Sequence, residues 1–174
     1  ATVPSPTTHL GLALDYVSTT QQLPLGYEVV EPARGFSDGD VPDMGDRVWV
    51  YVKNGEAATD FAVGDLIFRK AATLTKIGIL APATNVETEM RAMGVAQHVI
   101  AFGSYGFILR RGKCTLKNGT DNIAADVGLV SGGSRAGSAK NVTIGTDDAG
   151  QFGLALETEA TDNTTFDAYV DCRG

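Results

Sequence analysis

The sequence predicts an all-β protein, and two features of its composition lead to that prediction. Val, Ile and Thr, which favour strands, together number 41 of the 174 residues, whereas Glu, Lys and Gln, which favour helices, together number 17. The 21 glycines and the excess of Asp over Glu supply residues suited to tight turns. Many short strands joined by close turns predict a small β-barrel, β-tulip-like or sandwich domain.

Residues 1–45 differ from the rest of the chain because five of the six prolines lie there. Each proline removes a backbone donor and favours extended structure in the residue before it. Between these prolines, Leu10, Leu12, Leu14 and Tyr16 alternate with small or polar residues, which is the period of a strand. We therefore expect residues 1–45 to form an extended arm that lies over a neighbouring subunit, and residues 46–174 to form the β-domain.

The clearest strand begins after Asp46 and ends at the turn pair Asn54-Gly55. Its valines share one face, and Trp49 and Tyr51 share the other. Because large rigid aromatic side chains dominate interface energetics, we predict that Trp49 and Tyr51 are contact anchors; a second buried layer over this face is the alternative.

The remaining candidate strands are short. They span residues 65–70, 73–80, 93–100, 104–110, 113–117, 127–131, 151–158 and 165–172, and a single helical turn is expected at 85–91. Cys114 and Cys172 fall on the inward faces of two of these strands, which predicts free buried thiols.

A weak internal echo links the two halves of the β-domain. Val63-Gly64-Asp65-Leu66-Ile67 precedes Gly94-Val95-Ala96, and Asp126-Val127-Gly128-Leu129-Val130 precedes Gly153-Leu154-Ala155. Two similar β-units folded into one barrel would explain the echo, and coincidence among common strand residues is the alternative.

The residue patterns that carry catalysis are missing. The chain has only two histidines, His9 in the predicted arm and His98, which we expect to face outward from a strand as an ordinary polar residue. Gly132-Gly133-Ser134-Arg135-Ala136 lacks the final glycine of a nucleophile elbow. We therefore expect a structural or binding protein that is not an enzyme and uses no cofactor.

The charge balance bears on partners. A net charge of −7 and a pI near 4.7 argue against nucleic acid as the main partner, and no apolar run is long enough to span a membrane. Arg110, Arg111, Lys113 and Lys117 form the only basic cluster along the sequence, which we expect to be a solvated strand face. The acidic loop 38–46, with Asp38, Asp40, Asp43 and Asp46, is a weak candidate for a cation site, and a solvated loop is expected instead.

Six short segments, in this order, resemble a known family. They are Val63-Gly64-Asp65-Leu66-Ile67, Met93-Gly94-Val95-Ala96-Gln97, Gly103-Ser104-Tyr105-Gly106-Phe107-Ile108, Gly112-Lys113-Cys114-Thr115, Phe152-Gly153-Leu154-Ala155-Leu156-Glu157 and Tyr169-Val170-Asp171-Cys172. Together they resemble the capsid decoration, or cement, proteins of tailed bacteriophages over about residues 60–174.

The resemblance implies a β-barrel or β-tulip-like domain, usually trimeric, that binds outside an icosahedral shell and bridges neighbouring major capsid subunits. It further implies a virion protein that is assembled in the cytoplasm of the bacterial host. The family has no catalytic residues to carry over. Two alternatives stay open: a carbohydrate-binding or adhesin-like domain that uses exposed aromatics with calcium, and a glycosidase built on a pair of the aspartates in 38–46.

Overall fold

A computed structural model describes residues 8–9, 11–32, 45–70, 76–83, 92–119, 122–143 and 150–173, and it is all-β, as predicted. Within those ranges no helix is present that is long and apolar enough to cross a membrane. The twelve strands are β1 (Thr8–His9), β2 (Leu12–Ala13), β3 (Glu28–Glu31), β4 (Arg47–Asn54), β5 (Leu66–Arg69), β6 (Ile77–Leu80), β7 (Ala92–Val95), β8 (Tyr105–Lys117), β9 (Gly128–Ser131), β10 (Ala139–Asn141), β11 (Gly153–Ala155) and β12 (Thr165–Asp171).

Five strands close into a mixed barrel, which we call barrel 1. Their order around the barrel is β4, β6, β5, β7 and β8, and β8 returns to pair with β4. The β4–β6 pair is parallel and the other pairs are antiparallel. One buried cluster fills the barrel, and its members are Val50, Val52, Phe61, Ile67, Met93, Ala96, Ile100 and Ile108.

The second half of the chain repeats the strand order of barrel 1. In this second unit the order of neighbouring strands is the second half of β8, then β10, β9, β11 and β12. The last strand, β12, pairs with residues 111–117 of β8. An isolated parallel bridge between Asn118 and Ala139 takes the place of the β4–β6 pair. We call this second unit barrel 2, so that β8 belongs to both barrels.

Individual backbone hydrogen bonds confirm the repeat. Phe61 and Ile100 exchange two backbone bonds in barrel 1, as Ile123 and Glu159 do in barrel 2. The turns that precede β5 and β9 also share a backbone conformation. Gly64 and Asp126, which lie in these turns, have left-handed φ values of 86° and 62°. These two residues donate to the equivalent carbonyls of Ala96 and Ala155.

Two glycines recur at the same place because the backbone there is close-packed. A Cβ atom on Gly94 would lie 2.5 Å from the carbonyl oxygen of Leu109, and one on Gly153 would lie 2.6 Å from the carbonyl oxygen of Tyr169. Real Cβ contacts are longer than this, so only glycine fits at these positions of β7 and β11. The sequence echo is therefore a structural repeat, although it builds two barrels with a shared strand and not the single barrel we expected.

The predicted strand boundaries need one correction in this shared strand. Residues 104–110 and 113–117 were expected to be separate strands, but β8 runs unbroken through Gly112. Gly112 has a φ of 122°, so it bends the strand without ending it. The predicted helical turn at 85–91 lies outside the described residues.

Residues 11–32 pack on their own domain, which corrects the prediction of an arm over residues 1–45. β3 pairs antiparallel with β4, and Ser18 pairs with Tyr105 at the start of β8. Leu14 and Leu23 are buried in the cluster that covers the outer face of barrel 1. The described part of the segment is thus a covering layer, held by apolar burial, while 1–7, 10 and 33–44 lie outside the described residues.

Candidate interaction surfaces

Trp49 and Tyr51, the predicted contact anchors, are buried inside the protein. Trp49 is 7% exposed and Tyr51 is fully buried, beneath the layer formed by residues 11–32. The Trp49 Nε1 donates a 3.0 Å hydrogen bond to the buried Glu31 carboxylate. The prediction of surface anchors is therefore wrong, because a second layer covers this face of β4, and these aromatics offer no stacking platform for a sugar either.

The four arm residues of the predicted interface separate in the structure. Leu14 is buried in the core, Leu12 packs against that core, and Tyr16 is 43% exposed. Leu10 lies outside the described residues. Leu12, Leu14 and Tyr16 are described, and among these three only Tyr16 has an exposed side chain that a partner could contact.

Exposed apolar side chains gather at one end of barrel 1. Val63, Val99 and Phe102 are 42%, 57% and 53% exposed. They lie where β5 begins and where β7 leads into β8, and Tyr16 joins them because Ser18 pairs with the first residue of β8. We call Tyr16, Val63, Val99 and Phe102 the apolar end patch.

The repeat places polar residues in barrel 2 where barrel 1 has two of these apolar residues. Thr158 occupies in barrel 2 the position of Val99 in barrel 1, and its hydroxyl accepts a 3.3 Å bond from the Ala125 amide. Thr161 follows Ala160 as Phe102 follows Ala101. The same turn is therefore built with threonines in barrel 2, where barrel 1 carries Val99 and Phe102.

The run of basic residues that the sequence places between Arg110 and Lys117 is largely neutralised. Arg110 pairs with Glu28, Lys117 pairs with the buried Asp65, and the Lys113 Nζ lies 3.0 Å from the Asp167 carboxylate. These residues lie along β8 beside their acidic partners on neighbouring strands. These cations lie on a strand face, as expected, but their charges are paired and not simply solvated.

A different group of cations comes together around β6. Lys53 donates its backbone amide to the carbonyl of Lys76, and the Lys70 amide bonds the carbonyl of Ile77. Arg69 lies opposite Gly78, the next residue along. We call Lys53, Arg69, Lys70 and Lys76 the basic cluster; sequence analysis missed it because the register of three strands, and no local run, brings their backbones together. Arg69 lies on the face of β5 that carries Ile67, whereas Lys53 lies on the face of β4 that carries Tyr51.

His98 is partly buried at the end of barrel 1 and does not simply face outward. Its Nε2 atom is shielded from solvent, and the described residues offer that atom no hydrogen-bond partner. Burial lowers the pKa of His98 to about 4, and the nearby Asp15 carboxylate opposes this shift. His9 has no described side chain.

Both cysteines are free and buried, as predicted. Burial raises the pKa of both thiols, and that of Cys172 rises to about 12. Cys172 adds to the rise in the pKa of Cys114 and Asp171 adds to that of Cys172, while Arg47 and Arg110 oppose the two shifts. Thiols in this state are poor nucleophiles and act as small core residues.

The acidic loop lies outside the described residues except for its last two positions, Gly45 and Asp46. In the portions of the chain that the structure describes, no group of three or more His, Cys, Asp or Glu side chains is placed to hold a metal ion. Whether Asp38, Asp40 and Asp43 bind a cation is not tested, and the solvated loop expected there stays a prediction.

No protein-family model matches the sequence, and the comparison with curated proteins gives no match. Among solved structures, the chain is similar to the crystal structure of the head fiber gp8.5 N base in bacteriophage phi29. The TM-score is 0.49 and the sequence identity 16%, over 71% of this chain and 93% of that chain. A likeness this distant does not bear on what the protein does.

Proposed function

We propose that this protein is a structural component of a tailed-phage virion, which binds the outer surface of the capsid and bridges neighbouring major capsid subunits. In this proposal it acts as a homo-oligomer, with a trimer expected from the family resemblance. It performs no catalysis and needs no cofactor, nucleic acid or membrane. The starting point of the proposal is the resemblance of six sequence segments, in their order along the chain, to decoration proteins.

The observation that carries the proposal is the apolar end patch. Isolated apolar residues on a surface need no explanation, but several large ones at one barrel end favour a contact with another protein. Barrel 2 carries Thr158 and Thr161 at the positions of Val99 and Phe102, so a turn of this kind can be built with polar residues. A cement protein stabilises a shell by burying such surface across the joints between subunits, because rupture must then also break those contacts.

The direct test adds the purified protein to phage shells assembled without it. We expect saturable binding by co-sedimentation, ordered density outside the shell by electron microscopy, and a higher temperature of shell rupture. Shells that bind no protein, or that bind it without any gain in rupture temperature, would contradict the bridging role.

Substitution with the barrel 2 residues tests the end patch. The double variant Val99→Thr and Phe102→Thr should fold normally yet lose most of its shell binding or its oligomerisation. Val30→Thr is the matched control, since Val30 is equally exposed at 57% but lies away from the patch on β3. If the control and the double variant bind alike, the contact lies elsewhere.

A further inference from the structure

Residues 15–18 lie over one end of barrel 1. The side chain of Val17 packs against the buried cluster that fills the barrel. Ser18 and Tyr105 exchange two backbone hydrogen bonds, of 3.1 and 2.8 Å, which attach the segment to the start of β8. We call residues 15–18 the plug, because they cover this end of the barrel with one apolar side chain and one backbone bridge.

His98 lies beside the plug at the same end of the barrel. A Cβ atom on Gly106 would be 3.4 Å from His98 Nε2, so the imidazole packs against the backbone of β8. This nitrogen is shielded from solvent, and none of the described residues bonds to it. Protonation would add a charge and a second N–H donor to a ring that already has one shielded nitrogen without a partner. The closed plug therefore disfavours the imidazolium.

The repeat shows how the same position is satisfied in barrel 2. Glu157 takes the place of His98, since each lies two residues before the bridging residue, Ile100 or Glu159. The Glu157 carboxylate accepts a 2.7 Å hydrogen bond from the backbone amide of Asp167. Barrel 2 thus gives the polar side chain at this position a partner, whereas the imidazole of barrel 1 keeps a shielded nitrogen for which the described residues offer none.

The charged groups around His98 come from the plug and from β4. In the plug, the Asp15 carboxylate favours the protonated imidazole, but burial acts more strongly in the opposite direction and lowers the pKa of His98 to about 4. On β4, Lys53 pairs with Tyr105 and so lies on the opposite face of the sheet from Gly106 and the imidazole. Asp15 is therefore the charged group that opposes the effect of burial.

We propose that the plug is a pH-sensitive closure, in which protonation of His98 favours a state with residues 15–18 released from the end of barrel 1. In the open state the imidazole reaches water and titrates near its ordinary pKa of 6.5. Protons therefore bind the open state more tightly than the closed state as the pH falls from 6.5 towards 4. Opening also takes Tyr16 out of the apolar end patch. The device concerns barrel 1 alone and holds whether or not the protein binds a capsid.

Amide hydrogen exchange of the isolated protein tests the plug. After correction for intrinsic exchange rates, the amides of Ser18 and Tyr105 should be about 30-fold less protected at pH 5 than at pH 7.5, the factor expected from pKa values of 6.5 in the open state and about 4 in the closed state. The amides of Ile123 and Glu159, which form the equivalent backbone pair of barrel 2, are the matched control and should change by less than about twofold. Equal changes in the two pairs would overturn the proposal.

The variant His98→Gln assigns the effect to the imidazole. It cannot titrate, so the amides of Ser18 and Tyr105 should be equally protected at both pH values, and a pH response that persists in this variant would contradict the proposal. An NMR titration of the His98 ring in the folded wild type gives a reading that does not depend on a substitution, with the signal of His9 identified by its presence in the variant. We expect a midpoint well below 6; a midpoint near 6.5 while the plug amides stay protected would also overturn the closure.

Discussion

Glu31 is a charged side chain with no exposure to solvent, and it shows how single residues hold the covering layer on barrel 1. Its carboxylate accepts a bond from Trp49 Nε1 and lies 4.0 Å from the guanidinium of the buried Arg47. An ionised carboxylate away from water is tolerated only with such partners. The three side chains therefore fix β3 against β4 as one unit.

Replacing Trp49 should affect folding before it affects any interface. Trp49→Ala removes a large buried side chain and should lower the free energy of unfolding by about 3–5 kcal/mol. Trp49→Phe keeps much of the apolar volume but loses the bond to Glu31, so we expect a loss of about 1–2 kcal/mol. Urea denaturation followed by circular dichroism measures both; an alanine variant of normal stability that cannot assemble would restore the surface-anchor role.

His98 makes stability depend on pH in a defined window. The unfolded chain takes up a proton as the pH falls through about 6.5, whereas the folded protein resists protonation until about pH 4. The contribution of His98 is thus fully present above pH 6.5 and is lost as the pH falls from 6.5 towards 4. His98→Gln cannot titrate, so its unfolding free energy should fall less over this window than that of the wild type. Parallel slopes for the two proteins would show that His98 is readily protonated in the folded state.

At the scale of elements, each barrel uses one buried asparagine to tie its end loops. Asn54 at the end of β4 donates its side-chain amide to the carbonyls of Thr59 and Ile100, at 3.1 and 2.9 Å. Asn118 after β8 donates in the same manner to Glu159 and Thr161, at 3.4 and 3.0 Å. Each asparagine thus adds a side-chain donor to two loop carbonyls, and in both barrels one of these carbonyls, that of Ile100 or Glu159, also accepts a backbone bond.

We expect the two asparagines to have matching importance. Asn54→Ala and Asn118→Ala should each lower the unfolding free energy by about 1–3 kcal/mol, because each removes two hydrogen bonds made by a buried side chain. Asn122→Ala, at an exposed loop position, should change it by less than about 0.5 kcal/mol. Thermal or urea unfolding of the three variants provides the comparison, and a large difference between Asn54 and Asn118 would argue against equivalent roles.

Local pattern predicted the strands that alternate clearly, such as β4 and β12, but not those that lack the pattern. β3 is four residues between two prolines, and β10 is Ala-Lys-Asn, which is neither β-branched nor alternating. The face of β4 with Trp49 was predicted correctly as a face, but the layer that covers it was only the alternative, since the sequence of a strand does not specify what packs on it. The basic cluster depends on register between distant strands, which no single-chain pattern specifies.

For the whole molecule, the shared strand β8 joins two barrels whose strands carry different probes within one buried cluster. Trp49, the only tryptophan, reports on barrel 1, and the buried thiols of Cys114 and Cys172 report on barrel 2. Residues 105–111 of β8 pair with β4, and residues 111–117 pair with β12. Loss of either barrel would strip one half of β8 of its partners, so the two should unfold together.

We therefore expect one cooperative transition for both probes. Trp49 fluorescence and the reactivity of the thiols towards a disulfide reagent should give the same urea midpoint and the same slope. Transitions that separate, with thiols accessible while the indole stays buried, would show that barrel 2 opens alone. Cys114→Ser, which retains one reporter thiol in the same barrel, checks which cysteine accounts for the reactivity.

The continuity of β8 also limits how this protein can be divided or modified. A peptide-bond cleavage near Gly112 falls where the pairing passes from β4 to β12, so it would leave residues 105–111 with barrel 1 and residues 113–117 with barrel 2 and would break the one strand that the two barrels share. Affinity tags, fluorophores or displayed peptides are better inserted at Ser134–Ala136, where the chain is solvent-accessible and outside any strand.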